Sequence, residues 1–330
     1  MTRNKTPWLC ILFALLSCQS APKMPDISLD RGLPLEPGAY VYVIAEQDAM
    51  PVLNQLILNN INNTQFQQMV DRTRLVAAAL YVTVHAETGK VSSRYRLAAW
   101  GGYPVSRAKM ALGSSKGWQK QRSSIANADY WYSPQSGYSI ALTEGMALVA
   151  TAAANENPPY TPLDPFSAAP GTALPEGFAP FRAGSILSCW MDNPGSAISQ
   201  KLAGMGIPLE VPAQQVFVSL SPAEEERAVE NQRAVENQRA VENQRTVEEQ
   251  RYVARLQIQF ANANQVRALT MMLALARNFI PPPADINDPI ALLPPVLLAN
   301  PPVQDGNNLT ITTAPLSVRE IALLLKLFSL

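Results

Sequence analysis

Few side chains in this sequence could do chemistry. There are three cysteines, Cys10, Cys18 and Cys189, and a single histidine, His85. A thiol can be acylated, attack an electrophile or bind metal, and an imidazole can move a proton or ligate a metal. One histidine excludes any site built on two His ligands, and with the cysteines this dispersed a His-Cys zinc cluster is not encoded. No metal and no cofactor is expected, because there is no G-x-S-x-G elbow, no P-loop and no G-x-G-x-x-G after a strand. His85 closes a β-rich run, where a lone polar residue reads as surface and not as a general base. Cys189 sits in Ile186-Leu187-Ser188-Cys189-Trp190-Met191, a strand-like setting that suits a small buried hydrophobe better than a nucleophile. Asp129 and Glu144 are carboxylates of the kind a hydrolase pairs, but nothing in the sequence brings them together. No catalytic residue is assigned.

Cys18 is different because of what precedes it. Arg3 and Lys5 make a short positive start, Trp8 to Leu16 is an apolar run, and Leu15-Leu16-Ser17-Cys18 closes it, the layout of a secretory signal over residues 1–17. Nine apolar residues are too few to span a bilayer as a helix, which takes about 20. The closing residues Leu15-Leu16-Ser17-Cys18 resemble the lipobox of bacterial lipoproteins. That resemblance covers the leader alone. It implies cleavage between Ser17 and Cys18 and a lipid on Cys18, palmitate being one such acyl group. An ordinary signal peptide cut elsewhere is the competing reading. Gln19, in place of Asp, follows the cysteine, and by analogy with enterobacterial sorting this implies the outer membrane, its face unspecified. Cys10 then leaves with the leader and Cys18 carries lipid, so Cys189 has no disulfide partner.

With 330 residues, the chain has room for two domains, and 47% hydrophobic with 16% charged residues describes a protein able to bury a core. The 26 basic and 26 acidic side chains become 24 against 26 once Arg3 and Lys5 are removed. A slightly acidic chain without a basic excess is not a nucleic-acid binder. Prolines mark the boundaries. Pro22, Pro25, Pro34 and Pro37 make residues 18–37 an extended tether from the lipid. Residues 153–181 hold seven prolines, from Pro158 to Pro180, and read as a linker that cannot be helix. They separate a first α+β domain, 38–152, from a second, 182–330.

Within the first domain, β-rich runs predict strands at Tyr40–Ile44, Leu75–Val84 and Tyr95–Trp100, the last two joined as a hairpin through Glu87-Thr88-Gly89-Lys90. Asp48 is a candidate N-cap for a helix with Pro51 in its first turn. A short helix over Val105–Leu112 precedes a basic polar stretch, Lys116 to Arg122, around Trp118. Strands follow at Tyr130–Tyr132, Tyr138–Leu142 and Met146–Val149, their aromatics suited to a core more than to an interfacial belt. The second domain reads as strand Ser185–Met191, helix Gly195–Ala203, strands Val216–Leu220 and Tyr252–Phe260, and helix Asn262–Phe279 with Val266, Leu269, Leu273 and Ala276 on one face. Strand Asn308–Thr313 and a helix capped by Ser317 and Glu320 complete it. The expected fold is α+β: two tandem ferredoxin-like β-α-β-β-α-β modules plus a C-terminal helix. A diverged duplication and chance recurrence of a common pattern both account for the repeated order.

Residues 227–250 are four hexapeptides, RAVENQ three times and then RTVEEQ. A helical period of six advances about 240° per copy, so the four valines fall on different faces and no core or coiled-coil stripe is encoded. The tract sits where strands Val216–Leu220 and Tyr252–Phe260 should join as a hairpin. One straight helix of 24 residues, ~36 Å long, cannot close strand ends ~5 Å apart. Either the tract is partly disordered, or it breaks, or the two strands are not neighbours; it reads as an exposed insertion, inert or met by a partner. The closing helix, Leu316 to Leu330, is apolar nearly all round and suits a core, or at most an interface, more than a membrane span.

The lipobox, the apolar helices and the missing catalytic set give the chain a general likeness that resembles spirochaetal outer-membrane lipoproteins, which insert amphipathic helices into lipid. No residue assignment follows from it. The expected function is a lipid-anchored envelope protein in a non-catalytic binding or scaffolding role, held to the membrane by its N-terminal lipid and able to hold an envelope protein partner. The alternatives are a membrane-perturbing or lipid-binding lipoprotein, and a hydrolase.

Overall fold

The computed structural model describes residues 38–50, 52–53, 72–84, 91–152, 159–167, 178–196, 199, 203, 210–223, 250–278 and 295–321. The chain divides into two compact units, Met1–Met50 with Ile61–Glu176, and Pro51–Asn60 with Gly177–Leu330.

In the first unit the β-branched and aromatic runs become β1 (Val41–Glu46), β2 (Thr73–Val84) and β3 (Val91–Gly101). A helix, α1 (Val105–Ser114), leads to β4 (Gln119–Arg122), β5 (Asp129–Ser133), β6 (Tyr138–Thr143) and β7 (Met146–Thr151). Every pairing is antiparallel, in the order β1-β2-β3-β7-β6-β5-β4. β2 and β3 form the expected hairpin, with Leu80 opposite Tyr95 and Val84 opposite Val91. At its far end Gly101 lies so near the Arg72 carbonyl that a Cβ would collide with it, which explains a glycine there. Ala108 and Leu112 of α1 are fully buried against Ala99, Tyr103, Trp118, Trp131, Ile140 and Leu142. Trp118, Tyr130, Trp131 and Tyr132 are therefore core, as their sequence setting suggests, and Tyr138 is half-buried against it.

Arg96 is buried in the middle of β3. It donates to the carbonyls of Asp164 (3.3 Å) and Pro165 (3.4 Å) and to Ser167 Oγ (2.7 Å). Proline has no N–H to offer its neighbours, so the guanidinium's fork of donors ties the 3-10 turn Pro165–Ser167 to the sheet. Asp48 lies inside a second such turn, Gln47–Ala49, whose preceding residue Glu46 makes no side-chain cap.

The second unit opens with α2 (Phe178–Arg182), then β8 (Leu187–Asp192), β9 (Ala213–Pro222) and β10 (Arg251–Phe260). Helix α3 (Ala263–Arg277) precedes β11 (Val303–Asp305), β12 (Asn308–Thr312) and β13 (Leu316–Ser317). The order is β8-β9-β10-β12-β11, with β13 also on β10, and each pairing is antiparallel. α2 falls at the end of the stretch read as unable to form helix. Pro180 is tolerated because the first turn of a helix has no intrahelical acceptor for its N–H groups. The ring of Phe178 rests 6.1 Å from that of Phe217, and the ring of Phe181 rests 5.7 Å from it. The Arg255 guanidinium lies 5.3 Å over Phe181, so tilted ring contacts and a cation on a π-face hold α2 to the sheet.

These pairings overturn the tandem ferredoxin-like fold. In a split β-α-β module another strand lies between the first two strands of the chain, whereas here β1 pairs directly with β2 and β8 directly with β9. Among the described residues both units are antiparallel sheets with few helices, and their strand orders differ, so they are not two copies of a ferredoxin-like module. The likeness between the β2–β3 and β9–β10 segments is that of one hairpin to another.

β9 and β10 are neighbours throughout, from Tyr252 opposite Pro222 to Ile258 opposite Val216, and Ala223 N–H donates to the Arg251 carbonyl at 3.0 Å. The hexapeptide tract is therefore an insertion at a closed hairpin; apart from Gln250 it lies outside the described residues. The C-terminal capping box forms as expected. Ser317 Oγ and N–H both donate to Glu320 Oε2 at 2.7 Å, and Glu320 N–H returns a bond to Ser317 Oγ at 3.3 Å. Val318 and Ile321 are buried, and residues 322–330 lie outside the described residues.

Candidate functional site

Among the described residues the side chains with reactive chemistry do not converge. Ser17, Cys18 and His85 lie outside the described residues. Cys189 stands on β8 opposite Val218 and is half-buried by surface area. Desolvation nevertheless pushes its thiol up to about 12, so it stays protonated and unreactive at neutral pH. Asp129 accepts from Lys120 Nζ at 2.8 Å and Arg122 Nη1 at 3.3 Å, bonds that hold its carboxyl below the usual range. Glu144 is exposed in the turn between β6 and β7. The carboxylate pair that hydrolysis would use is not assembled by these contacts. Among the described residues no group of three or more His, Cys, Asp or Glu could hold a metal ion.

What the structure does assemble is a surface on α3. Asn262 Oδ1 accepts from Gln265 N–H at 3.1 Å and so caps the helix. At the other end Arg277 Nη2 donates to the Ala299 carbonyl at 3.0 Å. One face is inward: Val266 is fully buried against Val211, Val216, Ile258, Phe260, Leu309 and Ile311, and the half-buried Leu269 and Leu273 pack on the same cluster. That face follows the expected spacing.

At about 100° per residue a second apolar stripe, Ala268, Met271, Met272 and Leu275, points nearly the opposite way. Met271 is 60% exposed, Met272 47% and Leu275 61%. The helix has no acidic residue, and its charges are Arg267 and Arg277. Its signal was present in the sequence as apolar residues at positions i, i+3, i+4 and i+7. The sequence reading takes only the inner face, and the exposure of the second stripe is a property of the packing.

A family model described as "Outer membrane-associated lipoprotein TP0453" matches residues 35–262, more than two thirds of the chain. The match begins after Cys18 and ends just before α3. Crystal form I of TP0453 has the same fold at 18% identity and a TM-score of 0.54, covering 91% of this chain and 98% of that one. Crystal form III gives 17% and 0.54 with 89% and 97% covered, and crystal form IV 16% and 0.53 with 89% and 96%. No curated protein sequence matches the chain.

Proposed function

The chain belongs to the family of the outer membrane-associated lipoprotein TP0453, and on that premise we propose that Cys18 carries its lipid and that the uncovered face of α3 adds a second contact with the membrane. Family membership makes it an outer membrane-associated lipoprotein of the cell envelope. In this reading it works by surface contact and not by catalysis.

The observation that carries the proposal is the exposed stripe Met271, Met272 and Leu275. Together these side chains leave on the order of 300 Å² of apolar surface in water, worth up to about 7 kcal/mol if fully removed at ~25 cal/mol/Å². A patch of that size is in the range of the largest apolar patch on a typical monomer, which is often functional. No helix among the described residues is long and apolar enough to cross a membrane, so α3 would lie in the interface plane, apolar face inward, with Arg267 and Arg277 at headgroup level.

The test is flotation of the chain from residue 18 onward, carrying Cys18→Ser, with phosphatidylcholine vesicles. Binding that is lost in Met271→Gln/Leu275→Gln supports the proposal. A protein that stays with the soluble fraction refutes it, and then leaves the lipid as a tether and the stripe as a seat for an envelope protein.

A further inference from the structure

Between Val91 and Ala128 the sequence holds seven basic residues and no carboxylate. Arg96 is buried and Arg94 lies 5.0 Å over the Tyr81 ring. The other five are gathered in one part of the first unit: Arg107 and Lys109 on α1, Lys116 in the turn after it, and Lys120 and Arg122 on β4. Arg107, Lys116, Lys120 and Arg122 are exposed to solvent, and Lys109 is half-buried. Asp129 meets Lys120 and Arg122 and leaves the cluster strongly positive. The fold keeps these segments together. Leu112 on the inner side of α1 and Trp118, which immediately precedes β4, are buried in the same cluster, and β4 forms the edge of the unit's sheet.

Two large apolar side chains project among these charges. Met110, one turn from Arg107 on the outer side of α1, is 71% exposed, and Ile125 is 65% exposed. Ile125 sits at the tip of the β4–β5 turn, and that turn is well fixed. Ser123 Oγ accepts from Ile125 N–H at 3.2 Å and Ala126 N–H at 3.1 Å, while Arg122 donates to Asn127 Oδ1 at 2.7 Å. A soluble anion would use the cations but have no use for apolar tips between them. A bilayer of anionic phospholipid uses both, phosphates against the cations and acyl chains against the tips.

We propose that this face of the first unit docks on anionic phospholipid headgroups, with Met110 and Ile125 entering the apolar boundary. The proposal goes beyond contact through α3, whose exposed stripe is apolar and which carries two arginines, whereas this face of the first unit gathers five cations around its apolar tips.

The experiment compares the chain from residue 18 onward, carrying Cys18→Ser, on phosphatidylcholine vesicles with and without phosphatidylglycerol, at low and high salt. The anionic lipid is expected to raise partitioning at least tenfold, and high salt, which shortens the Debye length from about 10 Å to a few ångströms, to remove most of that gain. Arg107→Gln/Lys116→Gln should cost roughly 25-fold on anionic vesicles, about fivefold for each basic residue near the surface, and nothing on neutral ones. Met110→Ser/Ile125→Ser should weaken anionic binding while leaving its salt dependence intact. Met271→Gln/Leu275→Gln should lower binding to both vesicles alike, so failure of the α3 proposal and failure of this one are distinguishable. An unchanged anionic preference in Arg107→Gln/Lys116→Gln overturns the proposal. So does full competition by millimolar inorganic phosphate, which would mean a soluble-anion site.

Discussion

Replacing Met271 and Leu275 of α3 by glutamine probes the membrane face with little structural cost. Both are exposed, at 60% and 61%, and glutamine is a good helix former. Surface substitutions of this kind stay within about 0.5 kcal/mol in stability. Each side chain offers roughly 100 Å² of apolar surface, and with half of it entering the lipid boundary the change removes about 1 kcal/mol per site at ~25 cal/mol/Å². Two sites give about 2 kcal/mol, roughly a 30-fold drop in partition coefficient, each ~1.4 kcal/mol being tenfold. The assay is vesicle co-sedimentation on neutral lipid, with the unfolding midpoint measured in parallel. A partition coefficient unchanged within threefold, at unchanged stability, refutes the assignment of the stripe to lipid. A large fall in stability would instead show that the stripe is covered by protein.

Three further outcomes follow from the described contacts. Ser317→Ala removes the capping box to Glu320 and should cost about 1 kcal/mol in denaturant unfolding. The Cys189 thiol, raised from 9.0 to about 12 by burial, should resist alkylation in the folded protein at pH 8 and react on unfolding. Its proton is held more tightly in the folded state, so stability is full below about pH 9 and declines as pH rises toward 12, by up to about 1.4 kcal/mol per pH unit; Tyr103, also raised to about 12, acts in the same direction. Exchanging residues 224–250 for a four-residue turn should leave β9 paired to β10, because Ala223 and Arg251 already meet. Loop-closure entropy for ~4 instead of ~27 residues predicts a gain of about 1–2 kcal/mol, and a loss of folding would show that the insertion supports the hairpin.

Local structure was legible where composition alone decides it. The β-branched and aromatic runs became strands, Val266, Leu269 and Leu273 became the inner side of α3, and Ser317 with Glu320 formed their cap. β4, with its Gln-Lys-Gln-Arg sequence, was not legible, because an edge strand exposed on its outer side needs no apolar alternation and is protected by its charges. Topology was not legible either. The order of strands and helices along the chain suits a split β-α-β module, but which strands pair depends on long-range registers such as Leu75 opposite Glu46. The surfaces were half visible: the acid-free basic stretch and the second stripe of α3 are in the sequence, whereas their exposure is a property of the packing. Cys18 and its leader rest on sequence alone.

The most direct test of the second membrane contact places an environment-sensitive dye on Leu275→Cys in the chain from residue 18 onward with Cys18→Ser and Cys189→Ala, so that position 275 holds the one thiol. A matching label at Thr83→Cys, exposed on β2 of the first unit, serves as reference. On addition of neutral vesicles the dye at 275 should shift to the blue as it leaves water, and the dye at 83 should not. Emission at 275 that stays that of a water-exposed dye, with vesicles in excess, contradicts the claim that α3 meets the membrane.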